Sequence, residues 1–363
     1  MEESMNRTQR TLVRAGVGLA TVALAASSVG SVAAQDEQYV AMLLPENVNP
    51  RWESQDAAFF VEHMTEYAPD VVVEVFNANN DTATQQQQAE QALTNGADVL
   101  VVIPIDGEAA AIIADLAEEE GIPALAYDRM MQSENTDFWV QASMFETGRS
   151  QAQHVVDNTE DGDTLVLLKG SPTDPNAGVI FSGQMDVLQP LFDSGERVLG
   201  YENWTQGWDP AIARQSMDQA LTDLDNNVQG VVSSNDGNAA AAIASLDEQG
   251  MAGTIPVSGL DGTVQALQLM LLGEQTQSVW RPFDTMADVT AQVVTALLDG
   301  ESVDDFVDGT VENAVGAQIP FVPIDHYSAV GEEGVAYIIE NDPSITKEDV
   351  CQGEAAETSF CQS

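Results

Sequence analysis

Basic residues are what this chain lacks most. Eleven Lys+Arg stand against 59 Asp+Glu in 363 residues, a formal net charge of −48. A surface of that sign repels phosphate backbones, which excludes nucleic acid as a partner. It equally excludes attraction to anionic lipid. Lysine is reduced to Lys169 and Lys347. The acids are not gathered in a tail but spread through amphipathic sequence, as at 118–121 (EEEG) and 223–227 (DLDNN). Each run reads plainly as a solvated face. Together they also fit high salt, where screening shortens to about 3 Å and self-repulsion loses its cost.

Other absences narrow the chemistry. Cys351 and Cys361 are the only cysteines, so spacing and count leave no CxxC redox site and no zinc cluster. His63, His154 and His326 lie far apart and form no ligand-spaced pair. No Gly-x-Gly-x-x-Gly follows the first strand, and no phosphate-binding Gly-Lys-Ser/Thr loop exists. There is no Gly-x-Ser-x-Gly elbow and no Cys–His nucleophile pair. The acidic loop 157–163 (DNTEDGD) lacks the full calcium-loop spacing. No catalytic residue, metal or cofactor is expected.

What is present begins with a targeting pattern. Arg7, Arg10 and Arg14 precede the uncharged stretch 15–26, and small residues end at Val32-Ala33-Ala34. Residues 1–34 therefore read as a secretory signal, too short to span a membrane. Glu2 and Glu3 spoil its basic start, which translation from Met5 would avoid. Export to a periplasmic or extracytoplasmic space permits disulfides, and a Cys351–Cys361 bridge is expected.

Beyond the signal, strand and helix alternate. A short buried strand at 39–44 (YVAMLL) and strands at 71–76, 99–103 (VLVVI, with no polar face) and 123–127 are separated by helical patterns at 53–66, 84–93 and 108–119. Strands without a polar face belong in parallel sheets covered on both sides. The pattern restarts with strands at 164–168, 198–201, 230–233 and 255–258, and helices at 177–188, 210–224, 239–249 and 264–272. The fold class is α/β, with two doubly wound parallel domains meeting near 140–145.

Ligands of open α/β sheets bind beyond the carboxyl ends of the strands. Those ends carry Asn49-Pro50-Arg51-Trp52, Asp128-Arg129, Asp174-Pro175-Asn176, Trp204 to Trp208, Asn235-Asp236 and Asp261. Carboxylates, amides and guanidiniums pair with adjacent hydroxyls, and indole offers a flat face to sugar C–H groups. Taken singly, an Asp after a strand is a helix cap and a Trp is core. Their recurrence at successive strand ends describes a polyol cleft. Scarcity adds weight: without 1–34 only 8 basic residues remain against 57 acidic ones, and Arg51, Arg129 and Arg281 all fall in such loops.

These loops sit among longer matching pieces: 95–107 (NGADVLVVIPIDG), 122–130 (IPALAYDRM), 170–178 (GSPTDPNAG), 183–190 (GQMDVLQP), 203–210 (NWTQGWDP), 233–236 (SSND), 249–253 (QGMAG), 258–262 (SGLDG) and 280–282 (WRP). Over about 38–325 the chain resembles the periplasmic sugar-binding proteins of ABC importers, of the ribose/xylose type. The resemblance implies two lobes joined by three hinge crossovers, the type I arrangement, with sugar between them. It implies lobe 1 at 35–142 plus 282–317, lobe 2 at 143–281 plus 318–345, and an unexplained extension at 346–363. The implied sugar contacts are Arg51, Trp52, Asp128, Arg129, Asp174, Asn176, Trp208, Asn235 and Asp261, and scarcity adds Arg281. Trp208 is the implied stacking residue, with Trp204 as packing.

The chain departs from the family pattern in three places. Arg281 stands for Lys, Pro175 for Asn, and Ala142-Ser143-Met144 for Phe-Asp-Asn. The expected function is capture of a monosaccharide, D-xylose first and otherwise glucose, galactose or arabinose, by a monomer serving an ABC permease. Two rivals come from other classes. A sugar-responsive regulator would need a helix-turn-helix where the signal stands. A secreted carbohydrate-active enzyme would use carboxylates such as Asp128 and Asp261 for acid–base work.

Overall fold

A computed structural model describes residues 37–363; the export segment expected at 1–34 lies outside the described residues. The first lobe opens with β1 (Tyr39–Leu44), six buried apolar residues one position in from the sheet edge. α1 (Ala57–Tyr67), β2 (Val72–Asn77), α2 (Thr82–Thr94), β3 (Val99–Val102), α3 (Ala111–Glu120), β4 (Ala124–Tyr127) and β5 (Phe138–Ala142) follow. Short turns supply the caps: Asp81 accepts from the Thr84 N–H at the start of α2, and Gly121 ends α3 in the left-handed region.

The chain then enters the second lobe through α4 (Met144–Asp157), β6 (Asp163–Lys169), α5 (Pro175–Ser194), β7 (Arg197–Trp204), α6 (Pro210–Asp223), β8 (Gly230–Ser233), α7 (Asp236–Glu248), α8 (Val264–Leu271) and β9 (Gln277–Trp280). α9 (Phe283–Asp299) returns to pack on α1, and β10 (Thr310–Glu312) and β11 (Gln318–Ile324) extend the first sheet. β12 (Tyr327–Val330) and α10 (Gly331–Asn341) belong to the second lobe.

The first sheet runs β10-β11-β5-β4-β3-β1-β2, parallel except for the β10–β11 pair. The second runs β7-β6-β8 in parallel. Bridges at Val257 and Leu260 connect it to β9, which pairs with β12 antiparallel. Apolar clusters fill both faces of each sheet.

Two expectations are corrected. β11 lies beside β5 in the first sheet, so 318–324 is part of lobe 1 and the third crossing comes at 325–326 rather than near 318. The strand expected at 255–258 is reduced to a single bridge at Val257, because Pro256 has no N–H to donate to a ladder.

Lobe 2 ends in a small core of its own. Leu267, Met270, Trp280, Val335, Ile338, Ile345 and Val350 pack together. A Cys351–Cys361 disulfide ties off the tail beside them. A ten-residue loop restricts the unfolded chain by about 2–3 kcal/mol. Replacing both cysteines by serine is expected to lower the unfolding free energy by that amount, read as a denaturant midpoint at unchanged slope. Coincident curves would mean that the bridge adds nothing to the packing of Val350 and Ile345.

Candidate functional site: a charged cleft between the lobes

All ten sugar contacts implied by the sequence line one narrow cleft between the lobes. Each arrives from the carboxyl end of a strand, where the two sheets face each other. Lobe 1 supplies Arg51 and Trp52 after β1 and Asp128 and Arg129 after β4. Lobe 2 supplies Asp174 and Asn176 after β6, Trp208 after β7, Asn235 after β8 and Asp261 after the Val257 bridge. Arg281 leaves β9 at the second crossing.

A wide π turn at Trp52–Asp56 precedes α1, the Ala57 N–H donating to the Trp52 carbonyl. Such turns are common at functional sites. This one turns Trp52 and Asp56 inward. Arg51 then binds Asp56 with two bonds, Nε to Oδ2 at 2.9 Å and Nη2 to Oδ1 at 3.2 Å. Its guanidinium lies 3.9 Å from the Trp52 ring and 4.1 Å from Phe283.

The centre of the site is a closed cycle of charge. Arg51 Nη2 reaches Asp128 at 2.5 Å and Nη1 reaches Asp261 at 3.2 Å. Arg281 reaches the same two carboxylates at 2.7 Å each. Arg129 pairs with Asp174 at 2.7 Å, and Asn176 Nδ2 donates to Asp128 Oδ1 at 2.8 Å. Every one of these groups is buried. Since Arg51, Asp128 and Arg129 belong to one lobe and Asp174, Asn176 and Asp261 to the other, these bonds hold the lobes closed.

The charges tune one another. Burial pushes the Asp128 carboxyl up, but Arg281, Arg51 and Arg129 together hold it well below the usual range. Burial raises Asp174 despite Arg129, with Asp128 adding to the rise. Asp56 is pushed up to about 6 by burial, opposed by Arg51 and assisted by Asp128. The Tyr127 hydroxyl donates to Asp56 at 2.9 Å.

Three residues of the cleft hold left-handed backbone. Asp128, Trp208 and Asp261 have φ of 61°, 57° and 110°. Residues held in such regions cost about 1–3 kcal/mol each and persist where surrounding bonds over-determine them. Trp208 is fixed by Nε1 donating to Asp174 at 2.9 Å and lies on Gly170, where a Cβ would run into its ring. Asn235 caps α7 by accepting the Asn238 N–H.

Several residues escaped the sequence reading. Glu46 lines the cavity, accepts from Trp52 Nε1 at 2.6 Å and from the Asn49 N–H at 3.0 Å. It sits two residues beyond β1, in the loop that carries Arg51. Met144, Ile180 and Leu260 form the apolar wall. Met144 is one of the departures from the family pattern. Behind this wall Gln141 donates to the Asp128 carbonyl and accepts from Arg281 at 3.3 Å. Pro175 occupies the first turn of α5 behind the Asp174 cap, where its missing N–H costs nothing. Trp204 lies outside the cavity, edge-on to Phe181, with Lys169 Nζ 4.6 Å from each ring.

Residues 40–302 match the periplasmic binding protein domain. The chain is 36% identical over 251 residues to the D-xylose-binding periplasmic protein of Escherichia coli (strain K12), covering 69% of this chain and 75% of that one. It is 31% identical over 301 residues to a multiple sugar-binding periplasmic receptor of Rhizobium radiobacter, covering 78% and 84%. In fold it is similar to an ABC transporter solute binding protein from Clostridium phytofermentans with bound β-D-glucose. That likeness has a TM-score of 0.78 at 23% identity, over 86% of this chain and 100% of the other.

Proposed function

We propose, from the premise that this chain belongs to the periplasmic binding protein family, that it captures a neutral monosaccharide, D-xylose first, between its lobes. It delivers the sugar to the permease of an ABC importer, as a monomer exported by its first 34 residues. The observation that carries this reading is the balance of the cleft. Three guanidiniums face the carboxylates of Asp128, Asp174 and Asp261 with Trp52 and Trp208 beside them. Such a site offers paired donors and acceptors to vicinal hydroxyls without surplus positive charge for an anionic ligand.

Capture is a shift of population. A sugar touching both lobes binds only the closed arrangement and favours it. Residues from both lobes and from the hinge surround the same space, so binding and closure are one event. No covalent step is involved.

The test is a melting-temperature panel of aldoses and sugar acids in molar KCl, followed by calorimetry on those that shift the midpoint. D-xylose is expected to give the largest shift. A larger shift with D-glucose would reassign the sugar within the same reading, whereas a shift only with sugar acids would overturn the neutral-ligand assignment.

Trp208 and Trp204 should separate in the same assay. Trp208→Ala is expected to weaken sugar binding at least about a hundredfold while the fold persists. Trp204→Ala removes the face that covers Lys169 and should lower stability by about 1–3 kcal/mol with little change in affinity. Loss of binding in folded Trp204→Ala would reverse the two roles.

A further inference from the structure

We propose that Asp236 is a positioning residue for sugar binding: as a carboxylate, it anchors the loop that presents Asp261 to the sugar. The inference deepens the sugar-binding reading and rests on it. Asp236 opens α7, is buried, and lines none of the cavity that holds the sugar-facing residues. Its bonds reach the 260–263 loop that carries Asp261 and the 275–278 stretch bridged to that loop. The Asp236 N–H donates to the Leu260 carbonyl at 2.9 Å. The Thr263 N–H donates to Oδ2 at 2.9 Å, and Gln275 Nε2 donates to Oδ1 at 2.8 Å. Ser278 Oγ donates to Oδ1 at 2.8 Å while itself accepting the Gly262 N–H at 3.0 Å.

Both carboxylate oxygens therefore face donors. A proton or an amide NH2 there would oppose the Thr263 N–H or Gln275 Nε2, and only the Ser278 and Thr263 hydroxyls can turn to accept it. The carboxylate thus ties the loop with more bonds than the neutral form can keep, and Asp261, between Leu260 and Gly262 at a φ of 110°, needs that loop held. Without the anchor, the strained backbone of Asp261 relaxes and its carboxylate leaves the position where Arg51 and Arg281 meet it.

The charges around Asp236 set the sign of a pH effect. Burial raises Asp236 to about 7, and the neighbouring Asp261 charge raises it further. α8 presents no charged residue to it, while Glu274 precedes the Gln275 turn and Arg281 follows β9. In the closed structure Arg51 and Arg281 neutralise Asp261. Opening removes Arg51, since it belongs to the other lobe, so the Asp261 charge then acts on Asp236 with less compensation. Asp236 binds its proton more tightly when the lobes part, closure releases it, and sugar affinity rises with pH through this range.

The test is calorimetric titration of the full chain with D-xylose and D-glucose in molar KCl from about pH 6 to about pH 8.5. Wild type should bind about threefold more tightly at the upper end. Asp236→Asn has the same shape, should melt within a few degrees of wild type without sugar, and should bind about tenfold more weakly at the upper end with a flat pH profile. Ser278→Ala removes one anchor donor and should weaken binding about threefold while keeping the pH dependence. Wild-type affinity and profile in Asp236→Asn would overturn the proposal. If that variant does not fold, unchanged affinity in Ser278→Ala would do so. Wild type binding neither sugar at any pH would instead overturn the sugar-binding reading itself.

Discussion

Arg51→Ala is expected to abolish sugar binding and to lower the unfolding free energy by about 3–5 kcal/mol. Arg51 divides one guanidinium among Asp56, Asp128 and Asp261, all buried. Its removal leaves Asp56 with only the Tyr127 hydroxyl, and leaves Asp128 and Asp261 with Arg281 as their one paired cation beside the amides of Asn176 and Asn49. An unpaired buried carboxylate relieves its cost by taking a proton. The variant should therefore gain stability as pH falls from about 7 to about 5. In wild type, Asp128 works in the opposite direction. Its carboxyl is held low, so its contribution is present above the ordinary carboxylate range and is lost on acidification. Arg51→Lys keeps a positive charge but cannot fork to three carboxylates, so it should fold while binding sugar at least about tenfold more weakly. Melting curves at two pH values and calorimetry decide the matter. A midpoint within a degree of wild type in Arg51→Ala would mean that the cycle stabilises nothing.

That prediction concerns a residue the sequence made conspicuous, and the reason is compositional. Among 59 acidic residues a functional carboxylate has no contrast, whereas each Arg stands out. Arg51, Arg129 and Arg281 were legible for that reason. Asp56 and Glu46 were not, because one sits on what reads as the polar face of a helix and the other follows a strand like any turn residue. Their roles exist only through tertiary partners, the Arg51 fork and the Trp52 indole. Asp236 falls between the two: its strand-end position was visible, but its side-chain donors come from segments up to 42 residues away.

The fold shows the same division. Strands with no polar face, such as VLVV at Val99–Val102, announce a parallel sheet from sequence alone. β11 did not, since Pro320 and Pro323 argue against a strand. It is tolerated one position from the sheet edge, where the short β10 is its outer neighbour. The crossing near 318 came from the resemblance alone, and the pairing of β11 with β5 moves it past 324.

The distribution of cations carries the remaining large prediction: the fold should depend on salt. Of the eight basic residues beyond position 34, Arg51, Arg129, Lys169, Arg197 and Arg281 are buried. Only Arg149, Arg214 and Lys347 remain to offset about fifty carboxylates outside the core. At about 0.05 M salt the Debye length is about 14 Å, so carboxylates well beyond immediate neighbours repel one another. At molar salt it is about 3 Å, and only immediate neighbours interact. The buried Arg–Asp cycle is shielded from solvent and changes little over that range. Raising KCl from about 0.05 M to about 2 M should therefore raise the melting midpoint by on the order of 10 °C. Once the chain is folded, sugar affinity should move much less than stability does. Sugar should also recover part of the lost stability at low salt, because it binds only the folded state. Equal midpoints at the two salt concentrations would mean that the acidic surface serves solubility and is no condition for folding. A sugar affinity that tracked the midpoint would place the salt effect inside the cleft, on Arg51 and Arg281, instead of on the surface.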